Sequence, residues 1–340
     1  MTPKIMIILG SGSDIAIAEK CMDVLDELEI PYSLKIASAH RTPNLVREIV
    51  EESTKAGIEV FIGIAGLAAH LPGAIAAYTP RPVIGVPVDV KTSGIDALQS
   101  VIQMPYPSPI ATVGIDRGDN AAILAAQFLG IYDEEIRGKI KNLRKYYALK
   151  VINSNSEIVD NLENHEFLVK DYINVNDLKL EDKVYEIEEL PKNPDAEVAI
   201  IVSRQTDLIT AKKVTVILSR LKISFDVEVA CPIRNHEKFT SHVKSMKNAK
   251  IFIGISSNSS QVTGGIVGLT DRPVIGVPCI NENGDNFMLT TVNMPPGAPV
   301  ATVGINNGRN AAVLAAEILS IHNPDTVELL GKLKNKKMNL

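Results

Sequence analysis

The pattern of hydrophobic and polar positions alternates between two kinds of segment along the first third of the chain. Continuous apolar runs are typical of strands that are buried on both faces of a parallel sheet. Between these runs apolar residues recur at helical spacing, as at Ala18, Cys21, Leu25 and Leu28. The pattern predicts strands over residues 4–9, 32–37, 60–64, 83–86 and 111–115, and helices over 42–56, 72–77, 96–101 and 120–129 besides one that follows residue 14.

This alternation predicts the α/β fold class. Strands joined by helical crossovers form a parallel sheet with helices on both of its faces. Five strands with four crossovers fit a flavodoxin-like, doubly wound unit. In such a unit ligands bind at the carboxyl ends of the strands, near the point where the strand order reverses.

A repeated sequence divides the chain into two copies of this unit. The heptapeptide RPVIGVP occurs at residues 81–87 and again at 272–278, and ATVGI occurs at 111–115 and at 301–305. The order is kept, and the offset is 191 for the first pair and 190 for the second. Shared composition alone would not preserve both order and spacing, so we predict a first unit over residues 1–150 and a second over 196–340.

The segment between the two units differs in composition. Residues 151–195 contain 12 acidic and 4 basic residues. Charge runs of this kind are usually solvated, so this segment is predicted to be an acidic linker. Part of it could instead be helical, because Ile158, Leu162 and Phe167 would lie along one face of a helix.

Composition excludes several classes of protein. The net charge of −5, the 4% aromatic content and the lack of Trp argue against nucleic acid as a partner. No apolar run approaches the roughly 20 residues that span a membrane, and no signal peptide is recognised. Cys21, Cys231 and Cys279 have no paired spacing, which excludes a disulfide framework and a clustered zinc site and predicts a cytoplasmic location.

The loop after the first predicted strand of the first unit offers groups that bind a phosphorylated small molecule. It reads GSGSD at residues 10–14 and leads into a helix, whose first backbone N–H groups favour an anion. Ser11 and Ser13 add hydroxyl donors, and Asp14 could accept hydrogen bonds from sugar hydroxyls. Alternatively, Ser13 or Asp14 only caps the helix.

The loops after the second and third strands add further candidates. SAHRTP at residues 38–43 contains Arg41, which can bind a phosphate through two hydrogen bonds, and His40, which can transfer a proton near neutral pH. AGLAAHLPG at residues 65–73 is small and apolar and can lie flat against a planar ligand. His70 within it either contacts substrate or only satisfies the loop backbone.

Together these motifs resemble one known family. GSGSD, SAHRTP and AAHLPG, followed by GVP and by QMP at 103–105, closely resemble the PurE family of purine biosynthesis, which forms 4-carboxy-5-aminoimidazole ribonucleotide. The resemblance is dense over residues 3–132 and weaker over 197–322. It implies three-layer α/β/α units, an eight-subunit ring, a phosphoribosyl substrate, CO2 or bicarbonate as a partner, and neither a metal nor an organic cofactor.

The resemblance also implies a role for each candidate residue. His40 would be the general acid and base. The phosphate would be held by Ser11, Ser13, Ser38 and Arg41, and the ribose by Asp14. The imidazole and the carboxylate or CO2 would be walled by His70, Gly66, Leu67, Ala68 and Ala69.

Two subclasses of the family differ in the source of the carboxylate. One is a mutase that moves it from nitrogen to C4 of 5-(carboxyamino)imidazole ribonucleotide, and the other carboxylates aminoimidazole ribonucleotide directly. The HRT and AAHLPG motifs resemble the mutases. Leu67, however, stands where mutases usually have Gly, and residues 87–94 differ from their common loop, so both sources stay open. Either reaction would hold CO2 in a dry pocket beside C4.

The second copy has lost the proton-transfer groups. Ile233 takes the place of the histidine in the second loop and Gln261 that of the histidine in the third, whereas Arg234 and Asp207 keep the arginine and the aspartate. We therefore predict a catalytically silent unit that completes a homo-oligomer, in which four two-domain chains imitate an octamer. A regulatory nucleotide site is the alternative.

Other interpretations differ in class from an enzyme. A flavodoxin-like module that binds a phosphorylated ligand such as flavin mononucleotide is disfavoured by the scarcity of aromatic residues. A scaffold with two inactive halves is disfavoured by the intact His40-Arg41 pair. The remaining histidines are predicted to be exposed and incidental: His165, His236, His242 and His322.

Overall fold

The computed structural model describes residues 2–91, 93–161, 190–257, 259–281 and 283–338. The strands of the first unit are β1 Ile5–Leu9, β2 Tyr32–Ile36, β3 Val60–Gly66, β4 Val83–Val88 and β5 Ala111–Thr112. Its helices are α1 Ile15–Glu27, α2 Pro43–Lys55, α3 Leu71–Tyr78, α4 Ile95–Ile102, α5 Gly118–Leu129 and α6 Glu134–Asn161. Each predicted strand and helix of this unit is present.

The second unit repeats this succession. Its strands are β6 Val198–Val202, β7 Phe225–Val229, β8 Ile251–Ser256, β9 Val274–Pro278 and β10 Ala301–Thr302. Its helices are α7 Leu208–Arg220, α8 His236–Ser245, α9 Gln261–Leu269, α10 Met288–Val292, α11 Gly308–Leu319 and α12 Pro324–Met338. The parallel strand order β2-β1-β3-β4-β5 recurs as β7-β6-β8-β9-β10, so the prediction of flavodoxin-like units is confirmed.

Helices cover both faces of the sheet. Alternate strand positions point to opposite sides: Ile5 and Ile7 of β1 pack in a core that includes α1 and α5, and Met6 and Ile8 pack in a core that includes α2 and α3. All four side chains are buried. Burial on both faces explains why the strands are continuous apolar runs and not alternating ones.

The two units share one sheet. β5 pairs antiparallel with β10 through Thr112 and Thr302, which joins the strands of both units into a ten-stranded mixed sheet within the described residues. The sequence predicted two separate parallel sheets. The two sheets are joined because their edge strands, each only two residues long, pair with each other, so neither edge is left exposed at the junction.

Contacts between the units are reciprocal. The Asn120 side-chain amide donates to the carbonyl oxygen of Met294 (3.2 Å), and the equivalent Asn310 amide donates to that of Met104 (3.0 Å). An interface in which residue i contacts j while j contacts i has two-fold symmetry. The chain therefore contains within itself the arrangement of a symmetric dimer.

The last helix of the first unit extends past the predicted boundary at residue 150. α6 continues to Asn161, and its Arg144 donates to the backbone carbonyls of Val267 and Thr270 in the second unit. The remainder of the predicted acidic linker up to residue 189, with Leu162, His165 and Phe167, lies outside the described residues.

The prediction for His242 was wrong. Its side chain is only 13% exposed, and its Nε2 lies 3.1 Å from Oδ1 of the buried Asp226. The pairing is not evident from the sequence, because the two residues lie apart in the chain, belong to different elements and are surrounded by polar residues. His322 is partly exposed, with Nε2 3.4 Å from Glu59 Oε2. No described helix is both long and apolar enough to cross a membrane.

Substituting Gly118 by Ala is expected to destabilise the fold by about 1–3 kcal/mol, because a side chain there overpacks a tight helix contact. A Cβ at Gly118 would lie 2.1 Å from the Ile17 carbonyl oxygen. Gly138→Ala in α6 is the control: its Cβ would meet nothing within 4 Å, and we expect stabilisation of about 0.5–1 kcal/mol. Urea unfolding measures both changes, and a Gly118 variant as stable as the wild type would contradict the close approach.

Candidate active site

A cleft of about 450 Å³ opens at the carboxyl ends of β1, β2 and β3. All the site residues predicted from the sequence line it: Ser11, Ser13, Asp14, Ser38, His40, Arg41, Gly66, Leu67, Ala68, Ala69 and His70. Val90, from the loop after β4, also lines the cleft and was missed. Nothing in the residue type of an isolated valine marks it as part of a site, although residues 87–94 differ from the loop that is common in the mutases.

The first loop forms a 3-10 turn over Gly12–Asp14 before α1 begins. The Ser11 hydroxyl accepts from the backbone N–H of Ser13 (3.4 Å) and so caps this turn, whereas Asp14 makes no capping bond. The Asp14 carboxylate instead accepts from the Ser13 hydroxyl at 3.0 Å. The alternative that Ser13 or Asp14 acts only as a helix cap therefore does not describe this loop.

Asp14 lies buried on the floor of the cleft. Its side chain is 5% exposed. Burial raises the pKa of its carboxyl, and this effect is opposed by hydrogen bonds from Ser13 and the Ser11 backbone and by the charge of Arg41. A carboxylate in this setting gains from any hydroxyl donor that replaces the lost water.

The second loop places Arg41 across the gap to the first. Its Nη2 donates to the carbonyl oxygen of Gly10 at 3.1 Å, and its Nε to the Ser38 hydroxyl at 3.3 Å. The Ser38 backbone N–H in turn donates to Thr42 Oγ1 (2.9 Å), which tightens the loop before α2 begins. The guanidinium is thus held beside Ser38, so that a charged group and a hydroxyl donor face the same end of the cleft.

The third loop brings the two histidines together. The His40 and His70 rings stack with their centroids 5.8 Å apart and their planes 29° from parallel, and both side chains are exposed. Gly66 allows the close approach of Val90, whose Cγ2 would lie 2.4 Å from a Cβ at that position. Leu67 has a φ of +56°, a conformation that favours glycine. The loop therefore keeps a glycine-type backbone although the residue is a leucine.

The arrangement separates three chemical functions along one cleft. Arg41 with the serine hydroxyls has the chemistry to bind an anion, Asp14 can accept hydrogen bonds, and the paired imidazoles can transfer protons. The cleft is not lined by Phe, Tyr or Trp among the described residues, and the isoalloxazine ring of a flavin has no such side chain to stack on. No group of three His, Cys, Asp or Glu within the described residues could hold a metal ion.

Fold and cleft together define a class, namely a duplicated flavodoxin-like protein whose first unit has a cleft lined by an arginine and two histidines at the carboxyl ends of its strands. The family model described as AIR carboxylase matches residues 4–149 and again residues 197–339. The chain belongs to the AIR carboxylase family, with that family's domain present twice. The resemblance to PurE is thereby confirmed.

Similar proteins carry mutase names. The "Probable N5-carboxyaminoimidazole ribonucleotide mutase" of Methanobrevibacter smithii is 68% identical over the full length of both chains. The protein of the same name from Methanothermobacter thermautotrophicus is 48% identical over 99% of each. The N5-carboxyaminoimidazole ribonucleotide mutase of Methanocaldococcus jannaschii is 54% identical over 96% of its own length, which covers 45% of this chain. A relative of one unit's length thus exists beside relatives with both.

Proposed function

We propose that this chain is an enzyme of purine biosynthesis that converts 5-(carboxyamino)imidazole ribonucleotide into its 4-carboxy isomer in the cleft of the first unit. The observation that carries this proposal is the meeting of Arg41, Asp14 and His40 in one cleft. The mutase names of full-length relatives support the same reaction. We place the enzyme in the cytoplasm, where its buried cysteines stay reduced.

Substrate binding follows from charge and hydrogen bonding. The 5′-phosphate lies at the end of the cleft where Arg41 is held by Ser38 and the Gly10 carbonyl, with Ser11 and Ser13 as further donors. A guanidinium matches the geometry of phosphate oxygens, so this end fixes the substrate's orientation. The ribose hydroxyls donate to Asp14. The aminoimidazole ring then lies against residues 66–69, between this loop and the histidines.

The rearrangement requires that one proton is donated to the substrate and that one proton is removed from it. His40 first protonates the nitrogen that carries the carboxylate, and the N–C bond breaks to release CO2 and the neutral aminoimidazole. The enamine-like C4 then attacks that CO2, and His40 removes the proton from C4, which restores the aromatic ring. CO2 kept beside C4 reacts as an intramolecular partner and avoids a large entropic cost. His70 stacks beside His40 and walls the region where CO2 forms.

The experiment that tests this function follows the ultraviolet absorbance of the 4-carboxy product from two starting materials. Turnover of the 5-(carboxyamino) isomer without added bicarbonate supports the mutase. Turnover only from aminoimidazole ribonucleotide with bicarbonate assigns the chain to the direct carboxylases instead. A folded protein that turns over neither substrate would overturn the proposal.

The cleft of a single chain is open to water. His40 and His70 are exposed, and apolar side chains beside the cleft are exposed as well: Ile36 at 54%, Leu67 at 47% and Val90 at 48%. A dry pocket for CO2 therefore requires a cover that one chain does not supply. We propose a homo-oligomer of four chains, in which another copy covers this apolar rim.

Sedimentation velocity at micromolar concentration is expected to give a mass about four times that of the 36.8 kDa chain. Ile36→Glu should shift the distribution to smaller species, because a charge buried at an interface costs several kcal/mol. Glu51→Gln on the exposed side of α2 serves as the control and should leave the mass unchanged. A wild-type monomer under these conditions would refute the assembly.

A further inference from the structure

We infer that the second unit contains a nucleotide-binding site that does not turn its ligand over. The site lies where the second unit repeats the candidate active site, at the carboxyl ends of β6, β7 and β8. The inference rests on different residues from the reaction proposed for the first unit, and it takes from that proposal only the contact between the ribose and the equivalent aspartate. The ligand class is a nucleoside phosphate, with the phosphate in one cavity and the remainder in the cavity beside it.

The first cavity is cationic. It measures about 530 Å³, and its lining includes Arg204, Arg234 and Lys238. In the aligned repeats Arg204 stands at the position of Ser11, and Lys238 stands at that of Leu45. The second unit has thus gained two cations where the first has a hydroxyl and an aliphatic side chain. Both gained cations lie in the lining of the cavity, whereas Glu228, which stands at the position of Lys35, does not.

The Arg234 guanidinium is already in position. Its Nη2 donates to the carbonyl oxygen of Ser203, as that of Arg41 does to Gly10. The link between the first and second loops is therefore kept in both units. Because arginine stays charged at any physiological pH, this part of the cavity favours an anion that can accept two hydrogen bonds.

The neighbouring acidic group does not cancel this charge. Lys238 lies 2.7 Å from Glu228, and Glu228 is also paired with Lys192 at 2.6 Å. One carboxylate thus faces two lysines, and Asp207 interacts electrostatically with Arg204 and Arg234, so that four cations stand against two carboxylates. A phosphate gains most from such a surplus, since it carries up to two negative charges near neutral pH.

A second cavity of about 520 Å³ adjoins the first and shares Arg204 and Thr206 with it. Asp207 lies in its lining, 4% exposed, and accepts from the Ser257 backbone N–H at 3.2 Å. It occupies the position of Asp14, the proposed acceptor for ribose hydroxyls. A sugar at the boundary would therefore connect a phosphate in the first cavity to a base in the second.

The far side of the second cavity fits a planar heterocycle. Phe287 contributes an aromatic ring to its lining, and Gln261 contributes an amide that can donate and accept. The first unit's cleft has no counterpart of this phenylalanine. Gln261 and Ile233 replace the two histidines, so the chemistry left is binding without proton transfer.

Calorimetric titration of AMP and ATP into the full-length chain tests this inference. Arg204→Ser restores the residue of the first unit at that position, and we expect it to weaken binding by about 10- to 100-fold, because a hydrogen bond between charged groups is lost. Arg41→Ser removes the arginine of the first cleft, which is the counterpart of Arg234, and should change the affinity less than threefold. Circular dichroism establishes that each variant is folded.

Three results would overturn the inference. The first is that neither nucleotide binds the wild type at millimolar concentration. The second is that binding is lost with Arg41→Ser and kept with Arg204→Ser, which would place the nucleotide in the first cleft. The third is that inorganic phosphate binds as tightly as AMP and ATP, which would leave the second cavity without a role. None of these three results would change the outcome of the turnover assay that tests the reaction proposed for the first unit.

Discussion

The variant His40→Asn is expected to lose most of its turnover, by about 10²- to 10⁴-fold, while it keeps its affinity for the substrate. Asparagine can donate a hydrogen bond from a similar position but cannot exchange a proton with nitrogen or C4. In the proposed binding mode the phosphate and ribose contacts come from the first loop, Ser38 and Arg41, so removing the imidazole leaves them in place. Steady-state kcat and the dissociation constant of the 4-carboxy product measure the two effects separately.

The second unit provides a matched control. Ile233 stands at the position of His40, and its side chain is 72% exposed. Ile233→Asn creates the same residue in the same loop and should leave kcat unchanged, because no proton-transfer group is removed. Near-normal turnover of the His40 variant would exclude His40 from the mechanism. An equal loss in both variants would indicate damage to the assembly and not to the chemistry.

The variant Glu317→Gln is expected to remove a pH dependence of stability worth about 2–3 kcal/mol between pH 5 and pH 8. Glu317 lies buried in α11, and burial raises its pKa to about 7 against the opposing effect of Lys334. In the unfolded chain the carboxyl titrates near 4.5. Between pH 4.5 and 7 the folded state holds the proton and the unfolded chain does not, so the stabilisation that is present at low pH is lost as the pH rises through 7.

The first unit shows that the neutral side chain is tolerated there. Gln127 stands at the position of Glu317 and donates to the Asp271 carbonyl oxygen at 3.3 Å. Urea unfolding at both pH values should therefore give a variant whose advantage over the wild type grows with pH. Glu328→Gln is the control, since Glu328 pairs with Lys332 on the exposed face of α12 and should not alter this profile. Parallel profiles of the wild type and Glu317→Gln would contradict the prediction.

Much of the fold was predictable because its signals are local. Apolar runs such as Ile5–Leu9 mark strands buried on both faces, and the repeated RPVIGVP segment shows that the second unit has the same architecture. The joining of the two sheets was not predictable. β5 and β10 pair through Thr112 and Thr302 alone, and a pairing of one residue with one residue leaves no periodic pattern in the sequence.

The candidate site was predictable to the extent that its residues follow strands. Loops at the carboxyl ends of parallel strands meet by geometry, so the predicted residues from three distant segments line one cleft. Val90 was missed because it acts by shape, through its contact with Gly66, and not by a distinctive functional group. The paired Asp226 and His242 were missed because long-range pairing between polar residues has no counterpart in local sequence.

The reciprocal contacts of Asn120 and Asn310 affect how the two clefts can evolve. In an assembly of identical chains one coding sequence specifies every subunit, so a mutation that benefits one cleft changes all the others. Here the two halves of the symmetric pair are encoded by separate segments of one gene. Selection can keep the histidine at position 40 while it accepts isoleucine at 233, and the amide contacts that hold the halves together are unaffected. Covalent fusion thus lets a symmetric scaffold acquire two unequal clefts.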